Sequence, residues 1–398
     1  LFMKTLIKTF SILNLNQKRS LFFLLILSLI ATALEVLSIG LIFPLIEAFL
    51  NPENYKNNFF SKFNIFFFNT SDKLILFSIL MLLGVYFLKF LFLIFFSWCK
   101  ATYNLNVRKN LSKDMFDNYL FRDYTFHNST NSSNLIRNVI TEVNEYSNVL
   151  SHLMIVISET LILFGIFLLL IMIEPISTIS IIIFFTFFGL ISTIITKGYL
   201  FDWGKQRQLH DGLRLKHLQQ GFSGIKEIIL YGKRNFFSNV YEVHNAKSAR
   251  ASKLNRFVKD IPRLGLELIS VSAILLVFAY FILIGEKTDF VLPIMGIYAA
   301  AAFKILPSIS KILTSLQSIN FNKASVDVIL KEIKNKYIPD RIKNSSIKTM
   351  NFEKKILVEN LSFSYPKVKE NILNNINLEI LKGKIVGIIG ESGSGKST

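Results

Sequence analysis

Cysteine is what this 398-residue sequence has least of: a single residue, Cys99, which excludes a disulfide framework and a cysteine-built metal cluster. Histidine is nearly as scarce, with five scattered residues, of which His210 and His217 read as lying on a solvated helix face. Only eight prolines and 18 glycines punctuate the chain, so long stretches carry no helix breaker. Acidic residues are outnumbered 27 to 45, for a formal net charge of +18. Such an excess suits nucleic acid when the basic residues form a patch. Here most of them flank apolar runs, where they set membrane topology, and nucleic acid is not an expected partner.

What is abundant is apolar surface: 51% of residues are hydrophobic and 39 are Phe. A soluble chain of this length has no use for so much, and the composition reads as a membrane protein embedded in the bilayer. Apolar runs at 21–46, 74–98, 153–173, 176–196, 264–284 and 291–317 are each long enough to cross a hydrocarbon core, predicting six transmembrane helices in a domain covering 1–318. The first run is too long for a signal-peptide core, so it stays in the membrane. The third and fourth form one stretch of 44 residues, divided by Glu174-Pro175, where proline after a charge marks a tight turn.

The connecting segments assign the sides. Residues 1–20, 99–152 and 197–263 hold 24 Lys and Arg, whereas 47–73, 174–175 and 285–290 hold 4. The basic side is cytoplasmic, which makes this a multi-pass protein of the inner (plasma) membrane with a cytoplasmic N-terminus. The two long inside connections are poor in Gly and Pro and helical in period, so 104–119 and 202–220 read as membrane helices continuing into the cytosol. Outside, 51–68 combines Phe59, Phe60, Phe63, Phe66, Phe67 and Phe68 with Lys56 and Lys62, a pattern for a short amphipathic helix on the membrane face or for a greasy linker. After a linker at 319–350, the pattern changes to strands at 356–365 and 372–380, opening an α/β nucleotide domain over 351–398.

The last nine residues, Gly390, Glu391, Ser392, Gly393, Ser394, Gly395, Lys396, Ser397 and Thr398, fit G-x-x-x-x-G-K-[ST], after an apolar run at 384–389 that reads as a buried strand. A polyphosphate has to be wrapped by backbone N–H groups, and only glycine lets the backbone come that close. Lys396 supplies an ammonium for the outer phosphates, Ser397 a hydroxyl for Mg²⁺, and the helix expected to open there points its positive end at the anion. A chance glycine–serine turn is the competing reading, and the preceding apolar run argues against it. Metal-holding carboxylate and water-activating base are needed as well for hydrolysis. Neither follows Thr398, and two residues precede Met3, so the chain is expected to be a fragment that binds ATP without hydrolysing it.

Together these features resemble the ABC exporters: six membrane helices with long cytosolic extensions, then an ATP-binding domain on the same chain. The resemblance covers essentially all positions. Its sharpest signs are Glu359-Asn360-Leu361-Ser362-Phe363-Ser364-Tyr365-Pro366, Lys382-Gly383 and the run from Gly390 to Thr398. It implies that Tyr365 stacks on adenine, that the full-length protein is an ABC-type ATPase, and that it works as a homodimer, each ATP held between one glycine loop and the signature motif of the other subunit. It also implies coupling helices near 119–127 and 221–231. A weaker likeness, carried by 35–49, 224–228 and 261–267, is to flippases of lipid-linked oligosaccharides, in which 51–68 meets the polyprenyl tail. Exporters of lipids or hydrophobic drugs and peptides remain the alternative, and a membrane-anchored P-loop regulator is a third.

Charges within apolar runs are costly, about 2.5–3.5 kcal/mol each at mid-bilayer unless they meet water or a partner. Glu35 lies 14 residues, roughly 21 Å, from the inner end of its run, and Lys89 nine residues, roughly 13 Å, from its own. They are the candidates for the translocation cavity, with Glu159 and Lys304 behind them. Snorkelling, or a buried pair without substrate contact, is the competing reading.

Overall fold

A computed structural model describes residues 2–42, 45, 71–284, 288–335, 352–365 and 371–398. The expected surface helix at 51–68 and the second half of the 319–350 linker lie outside them. The chain divides into two compact units, one of Leu1–Met115 with Ile136–Asn335, the other of Phe116–Leu135 with Lys336–Thr398.

The first unit is helical. A short helix α1 (Phe2–Ile12) precedes α2 (Leu15–Gly40), and α3 runs without interruption from Ser71 to Leu120, its last residues belonging to the other unit. After α4 (Tyr124–Ser129) and α5 (Ser132–Arg137), one π-helical turn at Asn138–Glu142 leads into α6 (Val143–Ile173). Then come α7 (Pro175–Ser223), α8 (Ile225–Leu230), α9 (Arg234–Ile284) and α10 (Thr288–Lys334). The break between α6 and α7 falls at Glu174, held extended at φ −145°, ψ 94°, with Pro175 in the first helical position, where its missing N–H costs nothing. At ~1.5 Å per residue, the 50 residues of α3 measure about 75 Å, more than twice the ~30 Å hydrocarbon core. Four of the described helical stretches, Leu15–Gly40, Leu76–Leu120, Ser132–Ile173 and Pro175–Ser223, are long and apolar enough to cross a membrane.

Where the helices meet, spacing explains the packing. Ile162, Ile166 and Leu170 of α6 recur every four residues, as do Ala301, Ile305 and Ile309 of α10, and these two stripes form the centre of one buried cluster. Small polar residues at Ser308, Ser315 and Asn322, seven apart on α10, are buried as well and let neighbouring backbones approach. The closest approach is at Gly204 of α7: a Cβ there would lie 1.9 Å from the carbonyl oxygen of Phe321 on α10, so only glycine fits.

The second unit contains α4, braced by stacking of Tyr119 on Phe126 and by a 2.9 Å contact of His127 Nε2 with the Tyr119 carbonyl. It also contains an antiparallel pair, β1 (Lys355–Phe363) and β2 (Leu373–Leu381), in register at Val358 with Leu378. The register shifts twice around Leu361. Asn360 and Asn375, at φ 49° and 48°, take up the left-handed conformation that these irregularities require. The run 384–389 corrects the sequence reading: it is neither strand nor buried, with Ile385 101% and Ile389 97% exposed. A strand exists only through a neighbour's ladder, and no described strand pairs with this segment.

Candidate functional site

The glycine loop is built by its backbone. Gly393 and Gly395 sit at φ +90° and +88°, conformations closed to most side chains, and a Cβ on Gly390 would come within 2.6 Å of Ser394 Oγ. The Lys396 ammonium folds back over the loop, donating to the carbonyls of Gly390 and, at 3.0 Å, Glu391. Ser397 follows, and Thr398 N–H closes a turn on the Gly395 carbonyl at 3.1 Å where the sequence predicts a helix start. Such an i to i−3 bond is a turn, and the first i to i−4 bond is the costly one to form. Tyr365 comes to the same place, its hydroxyl 3.4 Å from Thr398 Oγ1 and its ring edge-on to Phe363 at 5.1 Å. A loop in which glycine alone is tolerated, with an ammonium over it and an aromatic ring beside it, fits a nucleotide polyphosphate with its base. The hydroxyl of Ser397 suits a Mg²⁺ ion.

In the helical unit, the charged residues of the apolar runs converge. Glu35 of α2 is 1% exposed and holds two cations: Lys304 of α10 at 2.6 Å from Oε1 and Lys89 of α3 at 2.7 Å from Oε2. Lys89 also donates to Ser38 Oγ at 3.0 Å. Two turns beyond Lys304, Lys311 reaches Glu159 of α6 at 2.8 Å. The structure thus joins Glu35 to Lys89, as the sequence suggests, and adds Lys304 as an equal partner. Lys311 escaped the sequence reading, although its seven-residue spacing from Lys304 places both on one face of α10.

Beyond the apolar runs a second charged network ties α6, α7 and α9 together. Arg137 lies 3.3 Å from Glu142, which accepts from Gln208 Nε2 at 2.7 Å, and Arg207 meets Glu145 at 2.8 Å. Asp211 receives Ser248 Oγ at 2.6 Å and Arg214 at 3.2 Å. Beside it, His210 and His217 are not on a solvated face. Both are half-buried and stack on His244 of α9, each with ring centroids 5.3 Å apart, and the Nδ1 atoms of His210 and His244 are 3.1 Å from one another. Partial burial, followed by the nearby Lys247, holds His210 below the usual histidine range. His244 is lowered by burial and then by His210, His217 and Lys247.

The profile of the ABC transporter transmembrane region matches residues 21–314, about three quarters of the chain. The chain belongs to the ABC transporter family. Among curated relatives, the ATP-dependent lipid A-core flippase of Shewanella frigidimarina is 21% identical over 304 residues, 76% of this chain and 50% of its own length. The leukotoxin translocation ATP-binding protein of Mannheimia glucosida is 56% identical over 43 residues, 11% of this chain and 6% of its own. A putative ABC transporter ATP-binding protein of Bacillus cereus is 42% identical over 79 residues, 20% of this chain and 13% of its own. The chain therefore spans half or less of the length of these ABC relatives. As an ABC transporter transmembrane region, its helices are membrane-embedded, and the family generally couples transport to ATP.

Proposed function

We propose that this chain is the membrane half, with the opening of the ATP-binding domain, of an exporter that moves an amphipathic, lipid-linked oligosaccharide outward across the inner membrane. In this reading the six apolar runs cross the bilayer with the glycine loop in the cytosol, and two copies form a homodimer. Gly390 to Thr398 hold the phosphates of ATP, Ser397 holds Mg²⁺, and Tyr365 stacks on the base. ATP drives export by binding one conformation of the dimer more tightly than the other, and hydrolysis resets it.

The observation that carries the reading is the buried cluster of Glu35, Lys89 and Lys304 on three helices of the ABC membrane region. Charge so deep in apolar helices marks a transport pathway by default, and its excess of one cation suits a substrate whose head is anionic and whose tail is apolar. The name of the Shewanella frigidimarina relative, a lipid A-core flippase, favours a second reading in which the cargo is itself a lipid. ATPase activity of the full-length protein in liposomes distinguishes them. Stimulation by polyprenyl-linked oligosaccharide supports the glycan reading, stimulation by a lipid alone supports the second, and no stimulation by either removes both.

A further inference from the structure

Where α7 leaves the apolar run 176–196, basic and aromatic residues alternate: Lys197, Tyr199, Phe201, Trp203 and Lys205. Tyr199 is exposed, and its ring meets that of Trp203 with centroids 6.1 Å apart. Rings with one apolar side and one wet end gather at the level of lipid headgroups. Phe201 stands five residues, about 7.5 Å, past the end of the run, roughly the depth of one headgroup layer.

Two ammonium groups converge on this ring. Lys205 of α7 lies over it at 4.6 Å from the centroid, and Lys323 of α10 at 5.1 Å. In the six-span reading α7 and α10 leave the membrane in the same sense. Helical side chains lean toward the N-terminus, so both lysines reach back toward the bilayer. Neither is neutralised: among the described residues no carboxylate lies within 4 Å of Lys205 or Lys323, Asp202 included. Asp327, one turn on from Lys323, is bonded to Lys8 of α1. Burial draws Lys323 below the usual lysine range; Asp327 opposes this, and Lys8, Lys197 and Lys205 add to it. Four lysines from three helices thus stand around one aspartate, and like charges gathered at a low-dielectric boundary attract an anion.

We propose that Lys205 and Lys323, set on Phe201, bind the phosphate of an anionic phospholipid headgroup whose acyl chains stay in the bilayer along α7. A lysine is a point charge with three donors on a flexible stem, so two of them close on one phosphate from different helices. No cavity is needed, because the hydrocarbon remains in bulk lipid and only the headgroup is held. Under the proposed orientation this surface faces the cytoplasmic leaflet, whose anionic lipids draw juxtamembrane basic residues. Phe201 is one turn from Gly204, so the headgroup bridges α7 and α10 beside their closest approach. Lys323 lies 19 residues, about 29 Å, along α10 from Lys304 of the Glu35 cluster, and the site takes a resident lipid, not cargo. A free phosphate ion offers the same oxygens, and the test separates the two sources.

Full-length protein is reconstituted in vesicles of equal phosphatidylglycerol and phosphatidylcholine, and native mass spectrometry counts the lipid it retains on extraction. Wild type retains phosphatidylglycerol in preference. Lys205→Gln and Lys323→Gln each lower the ratio of the two lipids by about fivefold, the worth of one basic residue near a membrane surface. Phe201→Leu keeps every charge but removes the ring on which the cations meet, and it lowers the ratio as well. Lys18→Gln, at an exposed lysine three residues before the run 21–46, leaves the ratio unchanged. The proposal is overturned by equal retention in wild type, by a ratio that either site lysine or Phe201→Leu leaves unchanged, or by an equal fall in Lys18→Gln, which would mean diffuse surface charge. Loss of the preference in excess inorganic phosphate also overturns it, since free phosphate would then be the ligand. Lys205 is exposed, so Lys205→Gln tests the site without disturbing packing. No arm uses ATP or cargo, so failure here leaves the export reading standing.

Discussion

Lys304 Nζ lies 2.6 Å from Glu35 Oε1, joining α10 to α2 across 269 positions of sequence. Because the same carboxylate also holds Lys89 on α3, one side chain with 2% of its surface accessible fastens three helices. That gives the cluster two separable roles, one in assembly and one in transport.

Glu35→Gln leaves two half-buried cations without their carboxylate and is expected to destabilise the full-length protein by up to about 3 kcal/mol, the scale for removing one partner from a buried ion pair. A variant with Glu35, Lys89 and Lys304 all changed to Leu removes the charges together and should recover most of that loss. Thermal unfolding in detergent reads the stability, and vesicle transport reads the function. A stable triple variant that transports normally would deny the cluster any role in the pathway.

Much of this was legible and some was not, for reasons that differ by residue. The break at Glu174-Pro175 is local chemistry, since proline lacks an N–H and the preceding residue is driven out of the helix. The continuous α3 and α7 follow from the scarcity of Gly and Pro in 104–119 and 202–220. The tie between Lys304 and Glu35 depends on how α10 is rotated against α2, which no single-helix pattern encodes. The histidines are similar: His210 and His217 are seven apart and visibly share a face, but only the fold brings His244 against them. The run at 384–389 departs from the strand its sequence predicts because an apolar stretch forms a strand only where a neighbouring ladder receives it.

Gly395→Ala should abolish nucleotide binding while leaving the helical unit intact. At φ +88° a Cβ is strained, costing on the order of 1 kcal/mol, and it would sit 3.0 Å from Leu373 Cδ2, displacing the loop. Lys396→Ala removes the ammonium without altering the backbone, and binding is expected to fall by roughly tenfold or more, as for loss of one charged hydrogen bond. Titration of the full-length protein with a fluorescent ATP analogue measures both. Equal binding by Lys396→Ala and wild type would remove this loop from the nucleotide site.

Gly204→Ala places a methyl group 1.9 Å from a backbone oxygen that has no rotamer to escape into. The two helices must part, and a loss of about 1–3 kcal/mol is expected, typical of overpacking. Gly198→Ala, on the same helix with open space around it, is the control and should be neutral or slightly stabilising. Unfolding midpoints of the two variants provide the comparison.

The stack of His210, His244 and His217 predicts acid sensitivity. A histidine whose folded value is depressed binds fewer protons than its unfolded form, so stability is complete above about pH 6.5 and declines as pH falls through that value. The facing charges are Asp211 and Arg214 from α7 and Lys247 from α9. His244→Phe keeps a ring between the other two and removes one protonation site, and it should flatten the fall in unfolding temperature between pH 7.5 and 5.5. An unchanged slope would place the sensitive group elsewhere.

The contact at Gly204 also has a mechanical meaning. It pins α7 to α10 some 29 residues, about 44 Å, from one end of the rod and 19 residues, about 29 Å, from the other. A tilt of roughly 5° about that fulcrum would sweep the two tips through arcs of about 4 Å and 2.5 Å in opposite senses. An unbroken shaft balanced off-centre converts a small push at one extremity into a larger swing at the other.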